Sequence, residues 1–279
     1  MKNLLCTMII FGFIACSSHQ VTESEKKAEI FYMSGTQNLV AKRYSEALND
    51  FLEAVKLDPN NSEIQNNLGM TYYFKNELNI ALEHLKKAIE LDPKNMDPVN
   101  NLASVYFAQG KYQESKIEYE KITKDLTYLN QFRTYYNLGL IELTNKNTVK
   151  ARELFNKSVA ENQNYCPAYF QLGTLDLEAQ NFQSAYDNFK NAGTGECMNN
   201  AAEANYYQAI SSWKLGNAER AKLKFIDVIK RFPKSPMAAK AQLQVDRLDK
   251  LEATGSNQQL SSDQKIDKAV KQSFVTPAN

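Results

Sequence analysis

The chain reads as an all-α protein, a solenoid of six helix pairs followed by one more helix. Three observations predict this: a segment that recurs at fixed spacing, small residues repeated at two places in each copy, and prolines where second helices should end. The segments "LNDFLEAVKLDPNN", "LEHLKKAIELDPKN", "SKIEYEKITKDLTY", "RELFNKSVAENQNY", "YDNFKNAGTGECMN" and "KLKFIDVIKRFPKS" recur with matched positions 34 residues apart, or 36 where two residues are inserted. A fixed period of this length marks units that bury their apolar faces only by stacking on neighbours.

Six units follow, at 28–61, 62–95, 96–129, 132–165, 166–199 and 202–235, each a helix A and a helix B. Position 8 of the unit carries Gly35, Gly69, Ala103, Gly139, Gly173 and Ala209, and position 20 carries Ala47, Ala81, Ser115, Ala151, Ala185 and Ala221. Small side chains there let the two helices cross closely. Position 24 carries Phe51, Leu85, Tyr119, Phe155, Phe189 and Phe225, which fill the space between one pair and the next. Pro59, Pro93 and Pro233 end helix B, since proline restricts the residue before it and donates no hydrogen bond. Repeats three to five hold Thr127, Gln163 and Cys197 instead, which leaves those three turns less defined.

With "YMSGT", "NNLGM", "NNLAS", "YNLGL" and "FQLGT" upstream, the pattern resembles the tetratricopeptide repeat. The resemblance implies a right-handed α-solenoid of six tetratricopeptide repeats. A solenoid must cover its last face, and residues 236–253 are expected to form that capping helix, with Ala239, Leu243, Leu248 and Leu251 as its apolar residues. Residues 254–279, rich in Ser, Gln, Asn and Lys, read as a disordered tail. Ile266, Val270 and Phe274 form a short stripe within it, suited either to solvent or to folding against a partner.

At the other end, Met1-Lys2-Asn3 precedes "LLCTMIIFGFI" and then Ala15, the charged, apolar and small-residue order of a signal peptide. The run is shorter than the ~20 residues that span a bilayer. Phe13-Ile14-Ala15-Cys16 resembles the lipobox of bacterial lipoproteins. That resemblance implies that residues 1–15 are removed and that Cys16 carries acyl chains, with 16–27 a tether to the first repeat. Ser17 in place of Asp points to the outer membrane, the repeats facing the periplasm. An ordinary signal peptide that happens to contain Cys16 is the alternative.

Cys166 and Cys197 remain. An oxidising periplasm suggests a disulfide between them, as does their placement at equivalent edges of adjacent repeats, provided the Cα atoms come within ~7 Å. Two buried unpaired thiols are the other possibility. Charge is nearly balanced, 33 basic against 32 acidic residues, which gives no reason to expect a nucleic-acid partner. His19 and His84 are the only histidines, too few for a His-based metal site or a triad. Phosphate-cradling glycine loops and nucleophile elbows are lacking as well. The sequence therefore predicts no catalytic residue, metal, cofactor or small-molecule substrate, and a protein as partner.

In such a solenoid, function belongs to the inner face, made by helix A positions 2, 5, 9 and 12. The candidate partner groove comprises Asn66, Tyr73, Asn100, Phe107, Tyr136, Leu140, Phe170, Tyr206 and Trp213. The amides suit a peptide backbone and the apolar residues a strand or amphipathic helix. Lys at position 5 with Asn at position 9, the pair that grips a chaperone C-terminal carboxylate in some tetratricopeptide domains, occurs in no repeat.

Finally, "KDLTYLNQFRTYYNLGLIEL", "NQNYCPAYFQLGTLDLEAQNF" and "GECMNNAAEANYYQAI", on six repeats behind a lipobox, resemble the Tgl, PilF and PilW pilotins of type IV pili. The resemblance runs from residue 16 to about 240. It implies a protein that helps a pilus secretin subunit reach the outer membrane and assemble there as a multimer. Adaptors for another envelope client, peptidoglycan hydrolases included, share the fold and remain open.

Overall fold

The structure is a computed structural model and describes residues 22–194 and 201–254. The expected signal peptide, the lipobox-like Phe13–Cys16, Cys197 and the residues from 255 onward lie outside the described residues. Every element among the described residues is an α-helix: α1 (Glu23–Val40), α2 (Tyr44–Leu57), α3 (Ser62–Phe74), α4 (Leu78–Leu91), α5 (Met96–Ala108), α6 (Tyr112–Ile122) and α7 (Gln131–Thr144). There follow α8 (Thr148–Glu161), α9 (Cys166–Glu178), α10 (Phe182–Ala192), α11 (Ala201–Lys214), α12 (Ala218–Arg231) and α13 (Pro236–Thr254). Each helix packs on the next in sequence, and α1, α3, α5 and α7 also touch in succession along the inner side.

The packing follows the predicted columns. Side chains at positions 20 and 24 are fully buried in every repeat, and position 8 is buried beside them. Where serine replaces alanine its hydroxyl is satisfied by a carbonyl, as in Ser115 Oγ donating to Ala103 O at 2.8 Å. Ser158 Oγ likewise donates to Phe132 O at 2.7 Å. Tyr119, the one phenol in the position-24 column, lies 2.8 Å from Ser104 Oγ. Burial drives its pKa far above the usual range, and it stays neutral.

Helix ends follow local chemistry. In repeats one, two, four and six helix B runs from position 17 to position 30, and α8 reaches that point without a proline. Helices α6 and α10 stop at position 27, three residues early. After α6 the chain turns instead on Asp125, whose Oδ1 accepts from Thr127 N at 2.9 Å and Thr127 Oγ1 at 2.6 Å. Two expectations are corrected. Residues 23–27, read as tether, belong to α1, because Thr22 and Glu25 close a capping box around its first turn. On α13 the packed residues are Ala238, Ala241, Val245 and Leu248, whereas Ala239 is exposed and Leu243 is 68 % exposed. Leu248 packs as expected, but small residues set much of that contact, and weighting the larger Leu243 misplaced the middle of the stripe.

The turn from helix A to helix B puts position 15 in the left-handed region in all six repeats, at Lys42, Asn76, Gly110, Lys146, Gln180 and Gly216. A Cβ at Gly216 would meet nothing within 4 Å, which leaves backbone strain as its only cost. Gly216→Ala should lower stability by about 1 kcal/mol and Gln180→Gly should not, a contrast that melting temperatures would read.

Candidate functional site

Helix A gives the inner face its residues, and the structure divides the predicted groove by depth. Asn66, Tyr73 and Trp213 are half-buried and present surface. Asn100, Phe107, Tyr136, Phe170 and Tyr206 are buried, and Leu140 is completely so. The reason is the position-24 column. The Tyr136 ring lies 5.7 Å from that of Phe155, Phe170 lies 5.3 Å from Phe189, and Tyr206 lies 5.5 Å from Phe225. These aromatics are drawn into the core as its inner wall, and Leu140 offers no surface to a partner. Position 12 stays within reach instead in every repeat but the third: Leu39, Tyr73, Leu143, Leu177 and Trp213 are half-buried. At the far end the Arg247 guanidinium of α13 lies 5.2 Å from the Trp213 ring centroid, which closes the groove with a cation–π contact.

The amides at position 5 do not stand alone. Asn66 Oδ1 accepts from Asn101 Nδ2 at 2.9 Å, and Asn67 Nδ2 donates to Thr36 Oγ1 at 3.4 Å. Asn137 bonds the Tyr119 hydroxyl and Gln171 bonds that of Tyr136. Position 6 thus carries an amide in repeats two to five, each satisfying a polar atom of the repeat before it. The signal was present as Asn67, Asn101, Asn137 and Gln171 at repeat spacing, but position 6 lies outside the four rows expected to line the groove.

A second ladder was also missed. Lys116 Nζ meets Glu142 Oε1 at 2.7 Å, and Arg152 NH1 meets Asp176 Oδ1 at 2.6 Å, each cation reaching from position 21 to position 11 of the next repeat. In the last interval Tyr186 stands where the cation was, bonded by Arg220, whose guanidinium lies over its ring. At the groove's end, burial raises the Glu203 carboxyl pKa against the opposing charge of Lys240.

Cys166 opens α9 and is disulfide-bonded, with its Sγ 3.9 Å from Thr194 O, two residues past α10. Among the described residues no group of three His, Cys, Asp or Glu is placed to hold a metal ion, and no helix is long and apolar enough to cross a membrane.

Family models described as TPR or tetratricopeptide repeat match residues 41–75 and 70–110, 100–165, and 203–235, together more than half of the chain. No curated protein matches it. Among solved structures, PilF of Pseudomonas aeruginosa is 20 % identical, with a TM-score of 0.66 over 80 % of this chain and 100 % of that one. PilW, described as a widely conserved type IV pilus biogenesis factor, is 19 % identical, with a TM-score of 0.65 over 77 % of this chain and 98 % of that one. A tetratricopeptide repeat protein from Parabacteroides merdae is 18 % identical, with a TM-score of 0.54 over 88 % and 97 %. These likenesses are of fold.

Proposed function

Because this chain belongs to the tetratricopeptide-repeat family, whose solenoids hold other proteins, we propose that it is a lipid-anchored scaffold for a type IV pilus secretin subunit. It would act as a pilotin, assisting the subunit's localisation to the outer membrane and its assembly there. The observation that carries the reading is the extent of the likeness to PilF and PilW, whose chains are matched over 100 % and 98 % of their length. The lipobox-like Phe13–Cys16 and the half-buried row at position 12 support it.

The mechanism follows from the parts. The inner face holds a segment of the subunit and shields apolar surface that would otherwise aggregate, while acyl chains on Cys16 confine the complex to the membrane where the ring forms. Each buried methylene of those chains contributes ~0.8 kcal/mol, and a multiply acylated terminus holds far longer than one chain would. A Cys166–Cys197 bond would tie the start of α9 to the entry of α11, stabilising repeat five by roughly 3 to 4 kcal/mol in the chain-entropy model.

Deletion of the gene should abolish heat-resistant secretin multimers; unchanged multimers and pili would transfer the scaffold to another envelope client. Cys16→Ala should leave the solenoid folded but out of the membrane fraction. For the groove, Leu143→Glu with Leu177→Glu should remove crosslinking of the secretin subunit in membranes while the circular dichroism spectrum is kept. Crosslinking at wild-type yield would exclude the inner face as the binding site.

A further inference from the structure

Position 2 of the first three repeats places Glu29, Glu63 and Asp97 on the successive inner helices α1, α3 and α5, and all three are exposed. None of them forms an ion pair with the described residues. Phenols stand beside two of them instead. The Tyr32 hydroxyl is near Glu63, and Tyr128 OH donates to Asp97 Oδ1 at 2.9 Å. A phenol orders a carboxylate without neutralising it. Burial raises the Tyr32 pKa first, and the charges of Glu63 and Glu29 raise it further, a sign of negative potential along the strip. The strip ends at repeat four, where position 2 is Arg133, its guanidinium 5.6 Å from the Phe132 ring centroid.

One turn beyond Asp97 on the same helix face stands Asn100, 3 % exposed, with an Oδ1 that no donor among the described residues reaches. Its counterpart Asn66 is satisfied. An unpaired buried acceptor costs about 1–3 kcal/mol, which a donor arriving with a partner recovers. The terminal torsion of asparagine is soft enough to turn that oxygen toward the groove. The three carboxylates and the Asn100 oxygen are all acceptors, and what they lack is a positively charged donor.

We infer that the inner face of repeats one to three takes an extended, lysine- or arginine-bearing segment of the client. Its cationic N–H groups meet Glu29, Glu63 and Asp97, and one N–H completes Asn100. This rests on the inner face being the client groove. The spacing agrees: packed helices lie about 8–10 Å apart, and three residues of extended chain cover about 10 Å, which puts a cation at every third residue over successive carboxylates.

The test uses the full chain in detergent with a fluorescein-labelled ten-residue peptide carrying lysine at every third position, and twins carrying glutamine or glutamate there. The lysine peptide should bind at least ten-fold tighter than the glutamine twin, lose affinity as salt rises, and exceed a glutamate twin that does not bind. Glu29→Gln, Glu63→Gln and Asp97→Asn together should cost at least ten-fold in affinity. Asn100→Leu should weaken binding several-fold while the melting temperature holds or rises, which a merely structural role would not produce. Equal binding of the lysine and glutamate peptides, or full affinity in the triple variant, would overturn the inference. The two readings fail separately. Secretin crosslinking that survives Leu143→Glu with Leu177→Glu removes the groove itself, whereas crosslinking lost there but undiminished in the triple variant removes only the cationic segment.

Discussion

Gly139→Ala should destabilise the solenoid by about 3 kcal/mol, at the upper end of what overpacking a core costs. A Cβ on residue 139 would stand 2.5 Å from Phe155 Cε1, 2.8 Å from Cδ1 and 3.0 Å from Cζ, a closer approach to the position-24 side chain than at Gly35, Gly69 or Gly173. Phe155 cannot retreat, being fully buried with Tyr136 on one side and the small Ala151 of its own helix beside it. Repeats three and six do carry alanine at position 8, opposite Tyr119 and Phe225, which shows that the two positions adjust to each other within a repeat. The conflict should therefore be relieved from the other side. Phe155→Leu, which removes the crowding Cε1 and Cζ, should recover at least 1 kcal/mol in the Gly139→Ala background. Urea unfolding of the four proteins would measure the coupling. Because each repeat is stabilised by its neighbours, amide exchange should locate the loss in α7 and α8. A Gly139→Ala protein within 0.5 kcal/mol of the parent would mean that the crossing is looser than the structure has it.

The columns that carry this prediction are legible in the amino-acid sequence, because a residue type fixed by helix crossing recurs wherever the crossing recurs. Repeat five illustrates the reach of that logic: the family-model matches fall on either side of it, and its proline position holds Cys197, yet α9 and α10 form with Ala185 and Phe189 in register. What sequence alone could not settle was depth. Tyr136 and Phe170 have the same helix-face assignment as Asn66, yet they pack on the rings at position 24 and sink while Asn66 stays half-buried. The α13 stripe was misread for a related reason, since hydrophobicity ranks Leu243 above Ala241 although close approach of α12 selects the alanine. The inter-repeat ion pairs were hidden because Lys116 and Glu142, 26 residues apart, look like ordinary surface charges until neighbouring repeats are stacked.

Those pairs yield the other large effect. Arg152→Met should cost about 3 kcal/mol, since it leaves the Asp176 carboxylate buried with only Asn188 Nδ2, at 2.8 Å, to answer it. The low end of the range applies because the guanidinium itself is 35 % exposed. Lys116→Met should cost less, for Glu142 keeps Lys150 Nζ at 3.8 Å and Asn147 Nδ2 at 3.2 Å. Glu142 also predicts how the solenoid responds to acid. Burial alone would raise the pKa of Glu142, but the Lys116 hydrogen bond and charge, with help from Lys150 and Asn147, outweigh it and hold the carboxyl below its usual range. A depressed folded value means that Glu142 stabilises the fold at pH above the ordinary 4.5 and that this contribution fades as pH falls through the folded value. Unfolding free energy measured from pH 7 to pH 3 should therefore drop more steeply in the parent than in Lys116→Met, and the two curves should converge in acid. Lys116→Met combined with Glu142→Leu should regain most of the loss at pH 7, because a packed apolar pair replaces a buried ion pair at little cost. Parallel curves for the parent and Lys116→Met would show instead that the pair is solvated and that shape alone holds repeats three and four together.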